Sequence, residues 1–244
     1  MILSVGSFGC NMDCPFCQNY EIVGAGEDFP AESADPRRLA ELAEQLKARG
    51  NVGIGIPQLV PHYLPKDVRV ILQTENGVIN AGPSADRNDL RVIDAGGAPV
   101  RVLPGGAIVS AELSFAIMRG GHVDVTVLGA LEVDGEGSIA NWMIPQLRVP
   151  GMGGAMDIVA GAKKVYAATR HFDKNGKCKL VKKCSLPLTG RGAVDVIVTE
   201  YCVVRNTYGR MALTDIAEDV SIKELLDKTK MRLDVSAGLV RRRF

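Results

Sequence analysis

The stretch Val68-Arg-Val-Ile-Leu-Gln-Thr-Glu-Asn-Gly77 joins a short apolar run to a turn. Branched apolar residues from Val68 to Leu72 are typical of a buried strand, and Asn-Gly favours a tight turn. We therefore expect Glu75 to lie at the carboxyl end of a strand, where open α/β sheets present their ligand sites. A carboxylate placed there can act as a nucleophile, although the same residues would also form an ordinary charged turn.

Short strand patterns separated by glycine-rich turns continue through most of the chain, with helix patterns between them. The last helix has the clearest start, because Ser221 and Glu224 form a capping box while Val220 can pack on Leu225 as a hydrophobic staple. We expect this helix to close the domain and the run Arg241-Arg-Arg243 to be a solvated tail. The patterns together predict an α/β sheet with covered faces. The predicted strands are residues 68–72, 123–128, 164–168 and 194–199, and the predicted helices include residues 110–119 and 156–162.

The composition excludes several classes of partner. The 244 residues contain 29 Lys and Arg against 28 Asp and Glu, a formal charge of +1, and 46% of them are hydrophobic, which suffices for a buried core. The near-zero charge provides no field of one sign to attract nucleic acid or an anionic membrane surface. The amino terminus lacks a basic segment ahead of an apolar one, and no apolar stretch of about 18 residues is free of charge. We therefore expect a cytoplasmic protein that binds neither nucleic acid nor membranes.

Three of the six cysteines lie close together near the amino terminus, as Cys10, Cys14 and Cys17 in a C-x3-C-x2-C pattern. Three thiolates on a tight loop can bind three irons of a 4Fe-4S cluster and leave the fourth iron open for S-adenosylmethionine. The surrounding sequence through about residue 53, including the helix pattern that Asp35 begins, resembles the pyruvate formate-lyase activating branch of the radical-SAM family.

That resemblance implies only a short, truncated radical-SAM-like segment, residues 1–50. A complete βα barrel takes about 250 residues, and the later S-adenosylmethionine-binding strands have no counterpart in this sequence. We therefore expect an orphaned loop whose thiols at Cys10, Cys14 and Cys17 are free or adventitiously metallated. Zinc or a labile iron-sulfur centre is the alternative for this loop.

Two glycine-rich stretches could bring backbone N–H groups to an anion. They are Gly53-Ile-Gly-Ile-Pro57 and Val149-Pro-Gly-Met-Gly-Gly-Ala-Met-Asp157. Small residues let N–H groups approach a phosphate or a developing oxyanion closely. Neither stretch fits a dinucleotide fingerprint, since Gln58 replaces the third glycine of the first one, and the sequence has no phosphate-binding loop with the G-x4-G-K-[ST] pattern. Taken alone, both stretches would be interpreted as tight turns or close packing.

Eight motifs between Asn51 and about Asp234 occur in the order seen in the B-type half of the family I CoA-transferases, the acetate/butyrate–acetoacetate and 3-oxoacid enzymes. The resemblance implies a domain of residues 51–244 with an α/β fold, an open mostly parallel sheet with helices on both faces, preceded by the truncated radical-SAM-like segment. The motifs are Asn51-Val-Gly-Ile-Gly-Ile-Pro57, Thr74-Glu-Asn-Gly77, Val102-Leu-Pro-Gly-Gly106, Ser114-Phe-Ala-Ile-Met-Arg-Gly-Gly-His122, Leu128-Gly-Ala-Leu-Glu-Val133, Ala140-Asn-Trp-Met143, Pro150-Gly-Met-Gly-Gly-Ala-Met-Asp157 and Leu186-Pro-Leu-Thr-Gly190.

By that resemblance Glu75 aligns with the family's catalytic glutamate, which would be acylated and would then form a glutamyl-CoA thioester in a ping-pong reaction. Gly154 and Ala155 match backbone groups around the thioester, and Gly153 and Asn76 are further candidates for oxyanion or CoA contacts. Coenzyme A would be a substrate, and no cofactor would be tightly bound. The other substrates would be acyl-CoA and short-chain acids, and a separate A subunit would be the partner.

Three other interpretations stay open. The cysteine cluster favours an iron-sulfur or radical-SAM-related protein. The replacement of the family's own first helix by residues 36–49 favours a non-catalytic chimeric relic. An isomerase would suit a related fold, although Glu75 within its full motif disfavours that interpretation.

For the remaining polar residues in these motifs we expect packing or hydrogen-bond support rather than chemistry. They are Arg119, His122, Asn141 and Trp142. We expect His62 and His171 to lie on the surface, and Cys184 and Cys202 to be inert core thiols.

Overall fold

The computed structural model describes residues 3–5, 50–52, 60, 63, 70–83, 91–94, 96–146 and 153–243. Cys10, Cys14 and Cys17, the helix predicted for residues 36–49, the glycine loop 53–57 and His62 lie outside the described residues. The described strands are β1 (Leu3–Val5), β2 (Gly50–Val52), β3 (Leu72–Thr74), β4 (Val78–Pro83), β5 (Val100–Ile108), β6 (Val125–Gly129), β7 (Glu132–Asp134), β8 (Ile139–Ala140), β9 (Lys164–Ala168), β10 (Leu180–Val181), β11 (Val196–Val198), β12 (Cys202–Thr207), β13 (Arg210–Ala217) and β14 (Asp234–Arg242). The described helices are α1 (Ala111–Arg119), α2 (Ala155–Gly161) and α3 (Ile222–Lys228).

A central sheet orders seven described strands as β14-β13-β12-β11-β9-β6-β2. Strands β2, β6, β9 and β11 run parallel, with Val127 opposite Tyr166 and Ala168 opposite Val198. Strand β12 pairs antiparallel with β11 on one side and with β13 on the other. Strand β14 pairs parallel with β13 at the edge of the sheet. The prediction of an α/β fold built on a mostly parallel sheet is therefore confirmed.

A second sheet orders four of the described strands as β1-β3-β4-β5 and presents Glu75 at its end. Strand β3 pairs parallel with β1, with Leu3 opposite Leu72, and antiparallel with β4. Glu75 does follow a strand, as predicted, but the strand begins later and the turn closes a β-hairpin. The cause is local: Gly77 has φ +108° and donates its N–H to the carbonyl of Thr74 at 3.0 Å, so the chain reverses at once.

Apolar side chains cover both faces of the central sheet, because successive residues of each strand point to opposite faces. On β6, Val125 and Val127 pack in one buried cluster together with Leu72 from β3. Leu128 belongs to a larger cluster on the other face, which also contains Val159 from α2. A third sheet, ordered β10-β7-β8, lies over that larger cluster and contributes Val133, Ile139 and Leu180 to it.

The helices begin where the sequence predicts. The Ser110 hydroxyl accepts the N–H of Leu113 at 3.3 Å ahead of α1, and the Ser221 hydroxyl accepts that of Glu224 at 3.4 Å ahead of α3. Val220 packs against the cluster that contains Leu225, as a hydrophobic staple requires. These side-chain caps satisfy N–H groups that would otherwise lack a partner at the helix start.

The prediction that α3 closes the domain and that a solvated tail follows is wrong. Strand β14 comes after α3 and pairs with β13, and within it Nε of Arg242 contacts Oδ1 of the buried Asp215 at 2.5 Å. Local sequence patterns did not reveal this strand because its exposed side chains alternate weakly. Its place in the sheet comes from pairing with the preceding strand β13 and from an ion pair whose carboxylate, Asp215, is buried.

The surface prediction for His171 is also wrong. His171 is fully buried, with Nδ1 3.3 Å from the Thr199 hydroxyl and Nε2 2.8 Å from the Thr229 hydroxyl. Two hydroxyl partners allow a neutral imidazole to be buried, and burial lowers the pKa of His171 to about 4. Cys202 is a buried core thiol as predicted, whereas Cys184 is only half-buried; burial raises the pKa of each thiol to about 12.

Within the part of the chain that the structure describes, no helix has the length and apolar character needed to cross a bilayer.

Candidate functional site

The side chain of Glu75 lies between the β3–β4 hairpin turn and the beginning of α2. It is half-buried, and its Oε1 accepts the backbone N–H of Gly154 at 3.0 Å. Gly154 is the residue that precedes the first turn of α2. The structure therefore brings together two of the residues that the sequence predicts for the site, one from each motif.

The absence of a side chain at position 154 is a steric requirement of this contact. A Cβ atom on Gly154 would lie 2.6 Å from Cδ and 2.9 Å from Oε2 of Glu75. The φ of Gly154 is −85°, which any residue can adopt, so the requirement concerns space and not backbone conformation. Gly153 adds a conformational requirement, since its φ is +53°. The two glycines together allow the backbone to approach the carboxylate.

The carboxyl group of Glu75 is harder to ionise than an ordinary glutamate. Burial raises its pKa to about 7, the hydrogen bond from Gly154 opposes that rise, and the charge of Asp157 adds to it. Near neutral pH the group is present partly as the carboxylate and retains more basicity than an exposed glutamate. Such a carboxylate can act as a nucleophile or as a general base.

The hairpin that carries Glu75 is anchored to α1 by buried polar contacts. The Gln73 amide donates to the Ser114 hydroxyl at 2.8 Å, and that hydroxyl donates to the carbonyl of Thr74 at 3.3 Å. Gly77 is pressed against Val109, whose carbonyl oxygen would lie 2.2 Å from a Cβ at position 77. The turn thus has a fixed position relative to α1.

Sequence reasoning missed Gln73 and Ser114 as supporting residues. Both lie in stretches that the sequence singles out, and both are fully buried in the structure. The available signal was a polar residue, Gln73, directly after the apolar run and two positions before Glu75. A buried amide needs a partner, but the sequence does not say which distant residue supplies it.

The other predicted site residues take different positions. Ala155 is the first residue of α2 and is half-buried next to Gly154. Asn76 is exposed, and its amide donates to the carbonyl of Ile93 at 2.9 Å. Asn76 therefore holds the turn against the loop that contains Ile93, and its contact with an oxyanion or with CoA stays a prediction.

Three of the four motif residues expected to give support make such contacts, namely Asn141, Trp142 and Arg119. The Asn141 amide donates to the carbonyl of Gly129 at 3.1 Å, and the Trp142 indole donates to that of Leu188 at 3.3 Å. Nε of Arg119 contacts Oδ1 of Asp157 at 2.6 Å, while His122 is exposed. Among the described residues, no group of three or more His, Cys, Asp and Glu side chains could hold a metal ion, and the three amino-terminal cysteines lie outside those residues.

The chain is similar to known proteins over most of its length. The family model for coenzyme A transferase matches residues 48–228. The beta subunit of acetate CoA-transferase from Escherichia coli strain K12 is 45% identical over 189 residues, which cover 78% of this chain and 87% of that protein. The B-type subunit of a probable succinyl-CoA:3-ketoacid coenzyme A transferase from Bacillus subtilis strain 168 is 42% identical over 213 residues, which cover 86% of this chain and 99% of that protein.

The fold is found among solved structures as well. An acyl-CoA transferase of Escherichia coli O157:H7 matches 91% of this chain with a TM-score of 0.65 and 23% identity. At that identity the likeness concerns the fold alone, and the chain spans 45% of the length of that protein. The Bacillus alignment covers 86% of this chain, which is a larger share than residues 51–244 make up. Similarity to that protein therefore extends upstream of Asn51. The domain boundary near residue 50 stays a prediction.

Proposed function

Because the chain belongs to the coenzyme A transferase family, we propose that it is the B-type subunit of an enzyme that moves CoA between short-chain carboxylic acids. The acids would be of the 3-oxoacid, acetate or butyrate class. One observation carries the proposal: the Glu75 carboxylate accepts the Gly154 N–H at 3.0 Å in a position where no side chain would fit on residue 154.

In the proposed reaction Glu75 is the nucleophile. Its carboxylate attacks the carbonyl carbon of an acyl-CoA, and the C–S bond breaks to give a mixed anhydride and the CoA thiolate. The thiolate then attacks the Glu75 carbonyl, which releases the first acid and leaves a glutamyl-CoA thioester. A second carboxylate takes the CoA by the same steps in reverse, so the kinetics are ping-pong.

The Gly154 N–H would stabilise the negative charge on oxygen that develops in these steps. A fixed backbone donor costs no reorganisation during the reaction, and such donors are worth about 100-fold or more in rate. Gly153 and Ala155 are candidates for further contacts to the oxyanion or to CoA. CoA enters and leaves as a substrate, and binding energy from its nucleotide end can be expressed in the transition state.

A separate A subunit is the partner that the proposal requires. The Escherichia coli and Bacillus relatives are themselves named as one subunit, beta or B, of their enzymes. Acyl specificity would depend partly on that second chain. The proposed location of the complex is the cytoplasm.

The test is to trap the thioester. The chain is mixed with an A-type subunit and acetoacetyl-CoA without an acceptor acid, and the Glu75 peptide is analysed by mass spectrometry. We expect a CoA adduct on Glu75 that disappears when acetate is added and is absent from Glu75→Gln, while Glu112→Gln, which alters an exposed glutamate, behaves as the wild type. An unmodified Glu75 peptide together with full turnover by Glu75→Ala would overturn the proposal.

For residues 1–50 the proposal is a truncated radical-SAM-like appendage without its own reaction. The C-x3-C-x2-C spacing of Cys10, Cys14 and Cys17 supports that origin. Anaerobic reconstitution with iron and sulfide, compared with a variant in which all three cysteines are serine, tests for a cluster. A cysteine-dependent iron-sulfur absorbance would favour the iron-sulfur alternative, and failure to co-elute with an A-type partner in size exclusion would favour a non-catalytic relic.

A further inference from the structure

Helix α1 connects the two halves of the Glu75 site. Near its start, Ser114 contacts Gln73 and Thr74 on the strand that leads to Glu75. Near its end it packs directly on α2: Met118 and Ile158 are both fully buried, and a Cβ on Gly161 would lie 1.9 Å from the carbonyl oxygen of Met118. The distance between the Glu75 turn and the Gly154 N–H is thus set through α1.

An ion pair joins the same two helices on the side of the site. Nε of Arg119, the last residue of α1, lies 2.6 Å from Oδ1 of Asp157 in the first turn of α2. The Arg119 guanidinium also lies over the Phe115 ring, 5.6 Å from its centroid, which fixes its direction. The Arg119 side chain is 64% exposed and the Asp157 side chain 30% exposed, so solvent screens the pair mainly from the Arg119 side.

Gly154 is the cap residue that precedes α2, and Asp157 lies in the first turn of that helix. The negative charge of Asp157 therefore lies at the end of α2 whose Gly154 N–H contacts the Glu75 carboxylate. Burial is the main cause of the raised pKa of Glu75, and the charge of Asp157 raises it further. The cation of Arg119 is paired with the Asp157 carboxylate.

We propose that Arg119 and Asp157 are positioning residues that set the charge state of Glu75, with Asp157 favouring the protonated form and Arg119 limiting that effect. The inference rests on the proposed role of Glu75. Its consequence is that the two members of one ion pair shift the titration midpoint of Glu75 in opposite directions. If the ion pair served stability alone, the two substitutions would not shift the titration midpoint of Glu75 in opposite directions.

The other titratable groups described near the turn are exposed or have hydrogen-bond partners of their own. Glu112 is exposed and hydrogen-bonded to Ser110, and His122 is exposed. Asp94 lies in the loop that Asn76 contacts, and its carboxylate accepts the N–H groups of its own loop. The groups from the packed elements are Asp157 on α2, Arg119, Glu112 and His122 at α1, and Arg91 and Asp94 in the loop that includes residues 91–94.

The direct test titrates Glu75 in the full chain and needs no activity. Glutamate is labelled with ¹³C at the side-chain carboxyl, the Glu75 resonance is assigned by its loss in Glu75→Gln, and its shift is followed between pH 4 and 9. We expect Asp157→Asn to lower the titration midpoint and Arg119→Gln to raise it, each by roughly half a unit to one unit. The double variant should resemble Asp157→Asn, because Arg119 acts through Asp157.

The matched control is Glu218→Gln, which removes one carboxylate from an exposed pair with Arg243 at the far edge of the central sheet. It should leave the midpoint unchanged. Shifts of both single variants in the same direction, or shifts no larger than that of the control, would overturn the proposal. With an A-type partner, the acid limb of kcat/KM should move as the resonance does. A wild-type complex that transfers no CoA would overturn the proposed function. The carboxyl titration would still decide whether Arg119 and Asp157 set the charge state of Glu75.

Discussion

The backbone N–H of Gly154 donates to Oε1 of Glu75 at 3.0 Å although the two residues are 79 positions apart in the chain. Glu75 depends on a hairpin turn in one sheet, and Gly154 depends on the start of a helix that packs on another. Helix α1 contacts both elements, the hairpin through Ser114 and α2 through Met118. Substitutions at either residue should therefore affect the site far more than the fold.

Gly154→Ala should reduce kcat by about 100-fold while leaving the fold intact. The new methyl group would lie 2.6 Å from Cδ of Glu75, so the carboxylate must move away from the N–H that holds it. Steady-state kinetics of the complex with an A-type partner, together with thermal unfolding, separate the two effects.

The control for that substitution is Gly135→Ala, because its new Cβ would meet atoms no closer than 3.8 Å and needs no unusual backbone angle. We expect Gly135→Ala to keep near wild-type kcat. Equal losses of activity in both variants would show that the Gly154 contact has no special role.

The acid limb of the pH–rate profile should report Glu75. Burial, aided by Asp157 and opposed by the Gly154 hydrogen bond, raises its pKa to about 7, and the nucleophile must be ionised. We therefore expect kcat/KM to fall about tenfold for each pH unit below 7. A profile that is flat down to pH 5 would exclude Glu75 as the ionising group.

Glu75→Gln should stabilise the fold at alkaline pH. The folded-state pKa of about 7 exceeds the ordinary glutamate value of 4.5, so the folded state holds this proton more tightly than the unfolded state. The carboxyl group then costs no stability while protonated, and its cost grows as pH rises from about 4.5 through 7. Between pH 5.5 and 8 the advantage of Glu75→Gln in free energy of unfolding should grow by about 1–2 kcal/mol.

Urea unfolding at the two pH values measures this difference, with Glu112→Gln as the exposed control. Hydrogen-bond loss in Glu75→Gln is the same at both pH values, so it cancels from the comparison. An advantage that shrinks with rising pH would contradict the raised pKa of Glu75.

Local sequence patterns predicted the parts of the site that depend on neighbours in the chain. The Asn76-Gly77 turn and the Ser221 cap follow from short-range chemistry, whereas Gly154 was assigned to the site by the resemblance to a known family. Residues that depend on distant partners were missed or misplaced. His171 could be buried only because Thr199 and Thr229, remote in sequence, bind its two nitrogens.

The same limit explains the terminal arginines. Three consecutive arginines suggest a solvated tail, since nothing in the run identifies a carboxylate partner. The partner of Arg242 is Asp215 on the adjacent strand, and that pairing exists only once β14 has joined the sheet. Sheet pairing of β14 therefore distinguishes Arg242 from Arg243, which the sequence alone cannot do.

Arg242→Gln should destabilise the fold by about 2 kcal/mol, because it removes the cation from a carboxylate whose side chain is 5% exposed. The Arg242 side chain is 35% exposed, which keeps the cost below that of a fully buried pair. Arg243→Gln is the matched control: that side chain is 94% exposed and lies 3.7 Å from Glu218, so its loss should change stability by no more than about 0.5 kcal/mol. Urea unfolding midpoints at constant m-value compare the two variants. Equal effects would mean that β14 is not held by the Asp215 pair, whereas a loss confined to Arg242→Gln would establish the terminal strand as part of the folded domain.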